Sequence, residues 1–470
     1  MELEIQLDQA ASHLRTLHNR SQRDGGGVNG DINVKGIRHF GGRPDEVSGD
    51  WICIFLRTDD PVTRKGHEAY LKSILMERKV LIVDFATKSI ASDDSLLVDL
   101  MPRARCCHYI AAQHLYKNRG GFIEGARSED VLSACIASVI HCVLPNVTGA
   151  QAEVILRALF ERAYRNTFPR VLSLMKGLIG IFERYNVSCV VCAPSRNPRI
   201  RLAVQVSRLF SIPSVEIQVI LNGKVAFQSI PSADYIVCLD QWSKRLVRDY
   251  FGYPGNRIMV AGSARYDEIA SLRAKTIDKE KIIKKTKLPE HLLLQADSSK
   301  LILFASQPLG TAEKRRIFEA LLKACRSLPV AIIVKLHPRE PATNAEIFVK
   351  VAQECRYEAP LVVTRDIDVI ELVQLADIVV SHSSNVLVEA ALLGTRAIAL
   401  DFSEGEPVVD FDEMGAACRI KSSEELNRVL RELIATPIGL HKIDQKQRDF
   451  WMSNPHFSSS RSYFNRLCMF

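Results

Sequence analysis

The chain has 470 residues, enough for two domains of the usual size of about 100–200 residues, and it is too long to be one small binding module. Hydrophobic residues at 47% and charged residues at 25% are ordinary for a globular chain and exclude the disordered and fibrous classes. The 62 Lys and Arg against 54 Asp and Glu leave +8 with no block of like charge; this suits anionic ligands or simply a solvated basic face, and no nucleic acid is required.

The first twenty residues (MELEIQLDQAASHLRTLHNR) carry charge throughout and no long apolar run follows, so neither a secretory signal nor a spanning helix is expected. The expected location is the cytoplasm, with peripheral contact at the inner face of the plasma membrane left open. Leu3, Leu7, Ala10, Leu14 and Leu17 recur at steps of four and three, the a/d pattern of a short coiled coil. So short a seam does not stand alone; it either makes a homodimer through residues 1–20 or docks on its own domain. Residues 24–31 (DGGGVNGD) hold neither helix nor strand. Residues 1–45 are therefore expected as an N-terminal helix and tether.

From Trp51 strands alternate with helices: WICIFLR, the helix HEAYLKSILMER, KVLIVDFA, helices over 128–185, SCVVCAP, the helix PRIRLAVQVSRLF, PSVEIQVIL and DYIVCLD. The helix QWSKRLVRDYFG, ended by Gly252 and Pro254, closes a first α/β domain at 46–255. A second set follows: RIMVAGS, KLILFASQP, a helix over 313–327, PVAIIVKLHP, a helix over 342–354, PLVVTRD, a helix over 368–376, DIVVSHS, a helix over 384–393 and RAIALDF. This is a domain at 256–440, and helices over 441–470 are expected to pack back on the first domain. The fold class is α/β, two doubly wound Rossmann-like sheets, which predicts a cleft with ligands at the carboxyl ends of the strands. Most of the twelve cysteines lie in apolar runs, as reduced core thiols do. The Cys189-x-x-Cys192 pair lies in VSCVVCA and has no second pair to complete a zinc site.

The stretch DIVVSHSSNVLVEAALLG at 377–394 carries the sharpest chemistry. An apolar strand runs into a small polar loop and then a helix, so free amides, the positive end of the helix and the Ser383 and Ser384 hydroxyls make a phosphate site without a metal. Ser381, Asn385 and Glu389 of the same stretch join the candidate set. In VKLHPRE, Pro338 stops the strand so that His337 stands at its carboxyl end beside Lys335, placed to donate to a phosphate or a departing oxygen. Ser306 and Gln307 of ASQP hold the equivalent place one strand earlier, and GSARYD at 262–267 is a small-residue turn before it.

The order GSARYDE, FASQP, KLHPRE, SHSSNVLVEAALLGTRAIALD resembles the nucleotide-binding half of GT-B transferases that build bacterial surface polymers. These are the CDP-glycerol glycerophosphotransferases, the bacterial sialyl- and polysialyltransferases and the capsule-type Kdo transferases. The resemblance covers roughly residues 185–470 and is carried by motifs. It implies that His337-Pro338 and Ser383-Ser384 contact the cytidine monophosphate part of a CMP-activated donor, with Kdo or a sialic-like acid as the sugar and a glycan or glycolipid hydroxyl as acceptor. Neither a cofactor nor a metal is implied, since no DxD-like pair stands at a strand end in the donor half.

The first half departs from those families. The Gln-His-Gly of the CDP-glycerol group is replaced by Gln218-Val-Ile-Leu-Asn-Gly223, and the acidic signature of the sialyltransferases is unmatched. Asp59-Asp60-Pro61 is the nearest acidic pair, read either as base or nucleophile or as a plain turn. Arg196 and Arg199 are candidates for an anionic acceptor or a donor carboxylate. The alternatives are a CDP-glycerol-type polyol-phosphate transferase, a UDP-N-acetylglucosamine 2-epimerase, to which Glu389 and the acidic DFSEGEP at 401–407 also point, and a non-catalytic subunit of a polysaccharide assembly complex.

Overall fold

The computed structural model describes residues 37–45, 47, 49–59, 61–86, 100–116, 168–194, 197–224, 231–275, 277–286, 300–402 and 405–453. The heptads of residues 1–20, the glycine tether, Asp60, Arg196 and the helices expected over 128–167 lie outside them. The described residues form two compact units, one from residues up to 59, 74–217 and 231–235, the other from 60–73, 218–230 and 236 onward.

The first sheet has eight strands: β1 (Ile37–Gly41), β2 (Trp51–Leu56), β3 (Lys79–Asp84), β4 (Cys106–Ala111), β5 (Val187–Cys192), β6 (Ser214–Ile217), β7 (Tyr235–Cys238) and β8 (Ile258–Val260). Their order is β1-β4-β3-β2-β5-β6-β7-β8. β1 runs antiparallel to β4, whereas β2, β3, β4 and β5 pair in parallel. Cys53, Phe55, Leu81, Val83, Val190 and Cys192 bury one face of this sheet under Leu174, Leu178, Ile181 and Phe182 of the helix Phe168–Arg184. Burial pushes the Cys189 thiol up to about 11, as expected of a core thiol.

The second sheet is β9 (Lys300–Ala305), β10 (Val330–Lys335), β11 (Leu361–Thr364), β12 (Ile378–Ser381), β13 (Arg396–Leu400) and β14 (Cys418–Ile420). Their order is β11-β10-β9-β12-β13-β14 and every pairing is parallel. Continuous apolar runs such as LILFA and VAIIV are what a sheet covered on both faces requires. Alternation then sorts them: Ile302, Phe304, Ile332, Val334, Ile378 and Val380 enter one core, and Leu301, Leu303, Ala331, Ile333 and Val379 enter the core on the opposite face.

Several elements differ from the sequence reading. Residues 37–41 are an edge strand rather than tether; its Arg38 and His39 are exposed, as on an edge with one partner. RIMVAGS does not open the second set: Ile258–Val260 pairs with β7 at the edge of the first sheet. β4 and β14 were not expected, since CCHYIA and CRI carry no clear period and are strands by virtue of their neighbours. In QWSKRLVRDYFG only Gln241–Arg245 is α-helix; Leu246–Tyr250 widens into a π-turn. Among the described residues no helix is long and apolar enough to cross a membrane.

Candidate functional site

Strand order locates the site in the second sheet. From β9 the chain winds outward through β10 and β11, then returns to β12 on the other side of β9 and winds away through β13 and β14. Crossovers diverge between β9 and β12, and the carboxyl ends of those strands flank the crevice where such sheets bind ligands. Register sets the height: Lys335 of β10, Ala305 of β9 and Ser381 of β12 lie in one row. His337, Gln307 and Ser383 each follow that row by two residues, on adjacent strands about 5 Å apart.

Hydrogen bonds tie these loops together. The Ser383 amide and hydroxyl both donate to Gln307 Oε1, at 3.2 and 2.7 Å. The Ser381 hydroxyl donates to the Ala305 carbonyl at 2.7 Å, and the Ser306 amide to the Lys335 carbonyl at 2.9 Å. Ser384 Oγ accepts from the Val386 amide at 3.3 Å, Asn385 stands at the N-cap, and the helix Val386–Leu393 runs from there to Gly394, whose φ of 81° ends it. The first-turn amides of Leu387, Val388 and Glu389 already bond the Ser384 and Asn385 carbonyls at 3.0, 3.0 and 3.1 Å, so what the helix start adds to the loop is the positive end of its dipole.

His337 begins a turn closed by the Glu340 amide on the His337 carbonyl (2.9 Å). The Arg339 amide donates to His337 Nδ1 at 3.1 Å. A backbone amide can only donate, so Nδ1 holds a lone pair and the ring proton sits on Nε2. His337 thus offers an N–H, the polarity a phosphate oxygen takes. Pro338 is exposed beside it.

Lys335 does not reach out as expected. Its amine donates to the carbonyls of Leu336 and Arg365, and burial lowers its pKa while Asp368 and Asp366 oppose the shift. Its contribution is to hold the start of the His337 loop. Glu389 is buried in the first turn of its helix; burial raises its carboxyl, and Arg265 (3.3 Å) and Lys65 hold the rise back. Lys65 in turn pairs with Asp368, which caps the helix Val369–Leu375.

Two neighbours escaped the sequence reading. Arg265 lies in GSARYD, which reads as a small-residue turn; Ser263 caps the helix Ala264–Ser271 and so directs Arg265 toward Glu389. His382, inside the motif itself, donates from Nδ1 to the Leu400 carbonyl at 2.6 Å and fastens the Ser383 loop to β13.

The first unit has its own reversal of strand order, between β2 and β5. Asp59 follows β2 and Arg199 opens the helix Pro198–Leu209 after β5, so both flank that point. Asp59 is gripped by the guanidinium of Arg57 at 3.0 and 3.1 Å, and Arg199 Nη1 donates to the Phe85 carbonyl at 3.3 Å. The buried acid here is Asp84, the last residue of KVLIVD. It accepts from the Thr58 amide (3.2 Å), the Thr58 hydroxyl (2.5 Å), the Tyr109 hydroxyl (2.7 Å) and the Ala86 amide (2.9 Å). Burial raises its carboxyl against those bonds. Asp84→Ala orphans the Thr58 and Tyr109 hydroxyls, and the expected loss is about 2–4 kcal/mol of unfolding free energy, read from urea midpoints; a loss below about 1 kcal/mol would mean water replaces the carboxylate.

No protein-family model and no curated protein sequence matches this chain. Solved structures do. A glycosyltransferase from Rickettsia africae overlays with a TM-score of 0.55 at 11% identity, covering 90% of this chain and 98% of its own. Anabaena HepE, solved in complex with UDP and glucose, gives 0.54 at 12%, covering 90% and 99%. The UDP-GlcNAc 2-epimerase of Neisseria meningitidis, solved bound to UDP-GlcNAc, gives 0.52 at 12%, covering 89% and 98%. Identities this low speak for the fold alone, and that fold is the GT-B type found in glycosyltransferases and UDP-GlcNAc 2-epimerases.

Proposed function

We propose that the protein is a glycosyltransferase that holds a nucleotide-sugar donor by its phosphate at the carboxyl edge of the second sheet and passes the sugar to an acceptor hydroxyl. The observation that supports this best is the row of loops after β10, β9 and β12: Ser383 bonds Gln307 where the strand order reverses, and His337 stands at the same height after the neighbouring strand. The Ser384 hydroxyl and the positive end of the helix take the phosphate oxygens, Ser383 turns from Gln307 to join them, and His337 donates from Nε2 to the leaving oxygen as its charge grows. Removing one preorganised donor of this sort from the oxyanion hole of an acyl-transfer enzyme costs about 2.7–4 kcal/mol, the scale expected here. Ser306, Pro338 and Asn385 line the same edge, and Glu389 with Arg265 stands behind it for the nucleotide.

For the donor, the motif resemblance favours a CMP-activated sugar, Kdo or a sialic-like acid, and a surface glycan or glycolipid as acceptor. Asp59 and Arg199 are the acceptor-side candidates; Asp59 would have to leave Arg57 to act as a base. The second reading is a UDP-GlcNAc 2-epimerase, supported by the overlay with such enzymes along nearly the whole chain.

A thermal-shift panel of CMP, CDP, UMP, UDP, GDP and ADP on wild type and His337→Ala tests the site. Ligand at about 100 times its Kd adds about 2.7 kcal/mol to the folded state. CMP is expected to raise the midpoint of wild type and not of the variant. A response to UDP alone overturns the cytidine donor, and no response overturns the donor site. Products separate the two activities: a transferase releases free nucleotide when acceptor is present, and an epimerase interconverts sugars without one.

A further inference from the structure

The turn that carries His337 is held from inside by a pair that the reaction itself does not need. Glu340 and Lys314 are both almost wholly buried, with side chains 1% and 4% exposed, and their charged ends meet. Lys314 rises from the first turns of the helix Thr311–Cys325, which follows the Gln307 loop, so the pair ties the β9 loop to the β10 loop beneath the proposed phosphate edge. Glu340 Oε2 accepts the His337 amide at 2.8 Å, and Oε1 accepts Asn344 Nδ2 at 3.1 Å. Burial alone would raise this carboxyl, yet Lys314, the His337 amide, Ser306 and Asn344 hold it below its ordinary value, so it stays an acceptor. Above the pair the turn closes on itself through Glu340 N–H to His337 O and Arg339 N–H to His337 Nδ1. Arg365 adds a bond to the Pro338 carbonyl at 3.4 Å.

A buried ion pair is weak ground for stability, because packed apolar residues do as well or better. Its more specific yield is a fixed arrangement of the groups bonded to it. Here that arrangement reaches the imidazole: the turn places the Arg339 amide on Nδ1, so the neutral ring carries its proton on Nε2. We propose that Glu340, charged and anchored by Lys314, is a positioning residue for the donor site, acting through His337 by holding its ring in the Nε2–H tautomer toward the phosphate. This rests on the donor-site reading above for its consequence in binding, but the ring's state stands without it.

Two measurements test it. Histidine ring nitrogens are labelled with 15N, the His337 signal is identified by its absence in His337→Ala, and the tautomer is read in wild type and in Lys314→Met/Glu340→Gln, which removes both charges and leaves no lone buried ion. Wild type is expected to show the proton on Nε2 alone, and the variant a mixture of both tautomers. Affinity for CMP and UDP is then measured in a cycle with His337→Ala. The charge-removing variant is expected to bind about tenfold more weakly, and the same change in the His337→Ala background to alter affinity less than twofold, since residues acting through one group are not additive.

An unchanged His337 tautomer in the variant, or an equal loss with and without His337, overturns the proposal. Should the double variant fail to fold, Asn344→Ala removes one bond to Glu340 with both charges kept, and a partial tautomer shift is the expected result; none overturns it. If wild type binds neither nucleotide, the donor-site reading fails while the ring signal still decides the positioning role.

Discussion

Asp444→Ala is expected to cost about 3–5 kcal/mol of unfolding free energy, the penalty for breaking a buried ion pair from one side. Arg396 opens β13, between β12 and β14 in the second sheet, and its guanidinium meets Asp444 in a two-pronged contact at 2.9 and 2.8 Å. Its remaining N–H groups go to the carbonyls of Leu433, Thr436 and Pro437. Asp444 also accepts the amides of Gly439 and His441, so one carboxylate joins β13, the end of the helix Ser423–Ala435 and the start of the helix Lys442–Ser453. Alanine there leaves a buried cation with carbonyls only and strands both amides. Arg396→Met/Asp444→Leu, which removes both charges, is expected to recover most of the loss.

The pH dependence of that pair has a definite sign. Burial would raise the Asp444 carboxyl, but Arg396 and the two amides outweigh it and hold the folded value below the ordinary one. Stability from this group is therefore complete above the unfolded carboxylate value of about 3.9 and is lost as pH falls through the lower folded value. Urea midpoints of wild type and Asp444→Ala should converge as the solution is acidified through that range. Parallel curves down to pH 2 would mean that the carboxylate contributes nothing that protonation removes.

Much of the second unit was legible because its signals are local. LILFA, VAIIV and DIVV are apolar runs bounded by Pro, Ser and His, and helices of amphipathic period separate them, so strand, crossover and carboxyl-end loop follow one another in reading order. The candidate residues inherit that legibility: His337, Gln307 and Ser383 lie immediately after such strands. What no periodicity can carry is the lateral order of the strands. That β9 and β12 are neighbours, and so bring Gln307 to Ser383 across 76 positions of chain, is a fact of sheet pairing.

The residues that escaped notice are those whose role is set by a distant partner. Glu340 reads as one acid in HPRE until Lys314 is placed under it, and Arg265 as part of a turn until Glu389 is placed against it. Asp84 could have been noticed, since an acid ending a buried apolar strand must find donors, but Thr58 and Tyr109 as those donors depend on β2 and β4 flanking β3. β4 itself, with two cysteines and a histidine at its start, is a strand because β1 and β3 pair with both of its edges.

Gln307→Glu makes the largest binding prediction, because it changes charge and almost nothing else. The Ser383 amide and hydroxyl both donate to Oε1, an atom that a carboxylate keeps, so the loop geometry and the thermal midpoint are expected to stay near wild type. A phosphate at the helix start beside Ser383 would then face a fixed negative charge. At about 5 Å and an effective dielectric of about 20, two unit charges repel by about 3 kcal/mol, which is more than a hundredfold in affinity. Calorimetric titration of wild type and Gln307→Glu with the nucleotide that stabilises wild type should read that loss, with the matching uncharged nucleoside as the control that does not change. Gln307→Ala is expected to show no such loss, since it frees the Ser383 amide and hydroxyl for the phosphate without adding charge. Equal nucleotide affinity in wild type and Gln307→Glu would place the phosphate away from the β9–β12 edge and overturn the role proposed for His337 beside it.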